Sequence, residues 1–99
     1  MATYLSLHKH TTKAKRNIED APEWLEEGRE LVEQMGGNVH GIYYGNIGEY
    51  DAVTITECPD GTTVEQIRLA FESDGTHEVE VHEVFDPEEY MEMIEQLPV

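Results

Sequence analysis

One cysteine, six lysines and arginines together, and no apolar run of membrane-spanning length are what this 99-residue chain offers least of. Each scarcity excludes something. Cys58 alone can close no disulfide within the chain, so a disulfide-stapled secreted scaffold is ruled out. A membrane-spanning helix takes about 18 or more consecutive apolar residues, and no stretch here comes near that. Met1 to His10 lacks the charged-then-apolar order of a secretion signal, and a cytoplasmic location is expected. With 22 acidic side chains against those six bases the net charge is −16. A phosphate backbone repels such a surface, so neither nucleic acid nor a membrane is an expected partner.

High charge with low hydrophobicity can signal disorder. That reading fails here, because the apolar residues fall in periodic blocks that hold Trp24, Phe71, Phe85 and five tyrosines. A folded chain of this charge must tolerate its own repulsion, and salt is the simplest remedy: the Debye length shrinks to about 3 Å at 1 M. Carboxylates spread over every segment, with few lysines, point to a protein kept soluble in a salt-rich cytoplasm, as in a halophilic archaeon. The competing reading is an acidic face presented to a basic partner. The bases are unevenly placed, since Lys9, Lys13, Lys15 and Arg16 lie together in a segment without acids. Lys13, Lys15 and Arg16 are therefore candidate anion-binding residues, or cations that offset carboxylates within the fold or across a subunit boundary.

Thr3 to Lys9 alternates as a half-buried strand, Leu5 and Leu7 on one face and Tyr4, Ser6 and His8 on the other. Residues 10–19 read as a long polar connection. Asp20-Ala-Pro-Glu23 predicts a capped helix start with Glu23 reciprocating; the helix buries Leu25, Gly28, Val32 and Met35 and ends at Gly36-Gly37. Val39–Tyr44 and Tyr50–Glu57 form a hairpin around a Gly45–Gly48 turn. Thr62 or Thr63 caps a second helix carrying Val64, Ile67, Ala70 and Phe71. His77–Phe85 is a fourth strand, and Asp86-Pro87-Glu88-Glu89 starts a short last helix with Tyr90, Ile94 and Leu97. The order β-α-β-β-α-β plus a terminal helix predicts one α+β domain over 1–99. It is ferredoxin-like, with a four-stranded antiparallel sheet covered by helices on one face.

The other sheet face then meets water or another sheet. Tyr4, Ser6, His8, Ile42, Tyr44, Tyr50 and Val84 are assigned to it, a set too apolar for solvent and too polar for a dry core. Two subunits pairing sheet to sheet resolve this, as a homodimer or larger homo-oligomer closing a dimeric α-β barrel.

Gly48-Glu49-Tyr50-Asp51 opens the third strand with a Gly-x-Tyr-Asp sequence. It stands among Ala2-Thr-Tyr-Leu-Ser-Leu7, Glu33-Gln-Met-Gly-Gly37 and Gly41-Ile-Tyr43. In these residues, over Ala2 to about Leu97, the chain resembles the GYD domain family, placed with the dimeric α-β barrels. The resemblance implies the ferredoxin-like fold and self-association, and no common activity. A weaker likeness is to the effector domains of Lrp/AsnC transcription regulators, which bind small metabolites between subunits; this chain has no helix-turn-helix beside it.

Gly48 suits a turn with positive φ. Tyr50 offers a hydroxyl to a ligand or fills an interface, and Asp51 bonds hairpin amides or a ligand. Candidate ligand contacts are thus Tyr4, Ser6, His8, Tyr50 and Asp51. His8 and His10 share a strand face, but sequence spacing brings no third or fourth ligand to them, so neither a metal nor a cofactor is expected. His8 titrates near neutrality and suits a base or hydrogen-bonding role. Cys58 has no basic neighbour in sequence to activate it. Three functions follow: a small-metabolite module, a small oxygenase or isomerase using His8 or Tyr50, or an interaction module docking through residues 9–16. The charge makes one prediction: stability, followed by circular dichroism, falls as salt is lowered from molar to millimolar. A flat response contradicts the halophilic reading.

Overall fold

Strand β1 (Ala2–His10) is the spine of the protein, because it is hydrogen-bonded on both sides. The computed structural model describes residues 1–99. After β1 come a short helix α1 (Thr12–Arg16), a 3-10 turn (Ile18–Asp20), α2 (Ala21–Gln34), β2 (Asn38–Ile47), β3 (Tyr50–Cys58), α3 (Gly61–Glu72), β4 (His77–Val84) and α4 (Pro87–Glu95). The four strands are all antiparallel in the order β2-β3-β1-β4. This is the ferredoxin-like arrangement expected from the pattern.

The two sheet faces are the reverse of the expectation for β1. Tyr4, Ser6 and His8 pair with Thr56, Thr54 and Ala52, and Tyr4 belongs to the core with Val32 of α2 and Val64 and Ile67 of α3. Ile42 and Tyr44 pair with Thr54 and Ala52 and so share that covered face. Leu5 and Leu7 stand on the open face beside Ile55 and Val53, with Tyr43 there too. Of the residues assigned to the open face, Val84 is there, paired with Thr3, and Tyr50 reaches Glu80, which stands opposite Leu7 on that side. Alternation fixes which residues share a face but not which face the helices cover. Here the helices supply the small aliphatics Val32, Val64 and Ile67, and a large ring from β1 fills the space between them.

Asp86 makes the full capping box, accepting from the Glu89 N–H at 2.8 Å while Glu89 Oε1 accepts from the Asp86 N–H at 3.2 Å. Asp20 makes no such cap; it lies in helical conformation because the 3-10 turn runs straight into α2. Asp60, rather than Thr62 or Thr63, caps α3, its Oδ1 accepting from the Thr63 N–H at 2.8 Å. The connection after β1 is ordered into α1 because Ala14 is fully buried and Thr11 caps it. Strand β2 continues through irregular pairing to Ile47, so the turn narrows to Gly48-Glu49, with Gly48 at φ +63°.

Gly37 passes so close to β3 that an added Cβ would lie 2.7 Å from the Glu57 carbonyl oxygen. Gly37→Ala is expected to destabilise by about 1–3 kcal/mol in thermal unfolding, as overpacking does. Gly45→Ala, with nothing within 4 Å of its Cβ, is the control and leaves the Tm nearly unchanged.

Candidate functional site

The register of β1 against β4 sets His10 opposite His77 and His8 opposite Val79. Two histidines at i, i+2 on β1 and one at the start of β4 thus share the helix-covered face. Their rings meet edge to face, His10 to His77 at 5.5 Å and His8 to His77 at 6.1 Å between centroids. Trp24 of α2 packs against His77 at 5.4 Å, and Phe71 of α3 against His8 at 5.8 Å. Gly28 lets the two helices approach, since a Cβ there would come within 3.1 Å of the Phe71 ring. The result is a cavity of about 150 Å³ between sheet and helices, lined by these rings together with Tyr44, Thr54 and Arg29.

Hydrogen bonds fix the state of the polar groups. The carboxylate of Asp74 can only accept, so the Thr76 hydroxyl donates to its Oδ1, at 2.6 Å. Thr76 Oγ1 must then accept from His77 Nδ1–H, at 2.8 Å. That bond settles the tautomer and leaves Nε2 of the neutral ring as an acceptor. Burial lowers the His77 pKa, helped by His10 and opposed by Asp74. Burial also holds His8 down at about 4, with His77 and His10 adding to the effect. His8 Nε2 shares a hydrogen bond with Thr54 Oγ1 at 3.1 Å. Burial raises Tyr44, against the pull of Arg29. No three His, Cys, Asp or Glu groups converge as metal ligands do. The site therefore offers apolar ring walls and a neutral acceptor around a space of about one ring's volume.

Of the candidate ligand contacts, only His8 lines this cavity. Tyr4 is in the core nearby, where burial raises its pKa, and Ser6 is buried beneath the helices. Tyr50 interacts with the Glu80 carboxylate of β4, and Asp51 Oδ2 accepts from the His10 backbone N–H at 2.8 Å. That bond ties the start of β3 to the end of β1, a register role. Lys13 donates to the Asp74 carbonyl, while Lys15 and Arg16 are exposed without an acidic partner in the chain. Cys58 is fully buried, and burial pushes its thiol up, away from nucleophilic form. The sequence reading missed Trp24, Phe71 and His77 as a group. The available signal was the antiparallel neighbourhood of β1 and β4, which brings a histidine starting one strand beside a histidine ending the other.

A protein-family model described as GYD domain matches residues 4–94. No curated protein matches the chain. No helix is long and apolar enough to cross a membrane.

The His8 ring carries a pH prediction. Its folded pKa of about 4 lies below the ordinary 6.5, so the unfolded chain binds the extra proton. The associated stability is complete above pH 6.5 and is lost as pH falls toward 4. The total is roughly 3 kcal/mol. Unfolding measured between those limits is expected to show a shallower acid slope for His8→Gln than for the parent.

Proposed function

We propose that this chain, which belongs to the GYD domain family, is a binding module that holds a small ring-bearing metabolite between its sheet and helices. The observation that supports it is the convergence of His8, His10 and His77 with Trp24 and Phe71 around one cavity. About 150 Å³ of space suits a single ring. His77 Nε2, an acceptor by its bond through Thr76 to Asp74, favours a ligand with a hydroxyl or N–H to donate. The pocket lies within each copy, and the open face of Leu5, Leu7, Val53 and Ile55 is the surface by which copies pair. A salt-rich cytoplasm remains the setting that the acid excess fits best.

One observation favours a second reading. The Asp74–Thr76–His77 chain orients an imidazole as an orienting carboxylate does in acid-base catalysis, so His77 would be the base of a small oxygenase or isomerase. His8, held at about 4, is a weak base near neutrality and serves better as a fixed wall.

Trp24 is the sole tryptophan and lines the cavity, so its fluorescence reports occupancy. Phenol is expected to give a saturable change, with an affinity about tenfold better than toluene, the same ring without a donor. His77→Phe should erase that preference. A linear response to both probes contradicts the binding reading.

A further inference from the structure

Helix α4 has every residue exposed and packs substantially against no other element of its own chain. Its sequence nevertheless makes two sharply different halves. Tyr90, Met91, Met93 and Ile94 fall on one half of the circumference, with Leu97 just past the helix end, while Glu88, Glu92 and Glu95 fall on the other. Tyr90 is 53%, Ile94 48% and Leu97 53% exposed. Such a face is built to be covered.

The opposite end of the sheet holds the complementary surface. Arg68 is the one lysine or arginine that forms a salt bridge in this chain, despite its 22 acids. Lys15 and Arg16 of α1 are exposed and unpaired, and Ile18 beside them is 47% exposed. The chain cannot satisfy this match within itself. Thr3 pairs with Val84 and His10 with His77, so α4 begins beside the start of β1 and α1 beside its end. Those ends lie about 25 Å apart, and α4 is only about 14 Å long.

We infer that α4 docks on the α1 end of a second copy. Its apolar half covers Ile18, and Glu88 and Glu95 at the edge of that half meet Lys15 and Arg16 of the partner subunit. A two-fold axis perpendicular to β1, with the open faces opposed, reverses the strand in the partner and brings each α4 end to the other's α1 end. Two identical contacts then close the pair. This rests on the self-association stated above and adds which helices are exchanged.

The test is the dimer dissociation constant, measured by sedimentation in molar potassium chloride. Lys15→Glu with Arg16→Glu is expected to weaken the dimer about tenfold. Adding Glu88→Lys and Glu95→Lys should restore it. Adding instead Glu26→Lys and Glu30→Lys on exposed positions of α2 gives the same net charge and should not. Ile94→Glu, on a helix that packs substantially against no other element of its own chain, should weaken the dimer while far-ultraviolet dichroism stays unchanged. A dimer indifferent to all these variants overturns the α4 docking and leaves self-association standing, and rescue by the α2 lysines as well overturns the docking too. A parent chain that stays monomeric overturns both.

Discussion

Everything in this molecule depends on β1 lying in the middle of the sheet with helices over one side of it only. Each residue of β1 either enters the helix-covered layer or stands on the open face, and the bonds to β3 and β4 allow no compromise between the two. Tyr4 enters the layer and meets α2 and α3; His8 and His10 follow it and find Trp24, Phe71 and His77. Leu5 and Leu7 go the other way. The pocket and the unfilled apolar face are thus two results of one register.

The acidic excess shapes the parts around that spine. Some carboxylates do local work: Asp60 and Asp86 cap helices, Asp51 holds a backbone amide at a strand end, and Glu72 accepts from the Val79 amide. Most of the others are exposed and solvated, which keeps the chain apart from its neighbours more than it stabilises the fold. The cations gain little from so many acids nearby, since a surface ion pair in water contributes under about 1 kcal/mol. Arg68, between Glu65 and Glu72 on the same helix, is the exception that geometry allows.

The element order and the ferredoxin-like topology were legible because strand alternation, helix spacing and the glycine turns agreed with one another. The hairpin glycine, Gly48, and the Asp86 box could be read directly, since each depends on neighbours in sequence. The sidedness of β1 could not. Leucines look more like core than a tyrosine, a serine and a histidine do, yet the helices offered small aliphatic partners that a large ring fits. The pocket was half visible: the His8–His10 pair stood out, while His77, Trp24 and Phe71 join it only through pairing and helix crossing. Asp20 failed as a cap because α1 and the 3-10 turn, invisible as polar residues, run into α2.

Cys58 closes β3 with its sulfur completely enclosed, and it is the chain's sole thiol. Alkylating reagents can reach it only when the end of β3 leaves the helices, so its labelling rate is a clock for that opening. Two intact copies cannot be crosslinked through sulfur either, which keeps any assembly of them reversible under oxidising conditions.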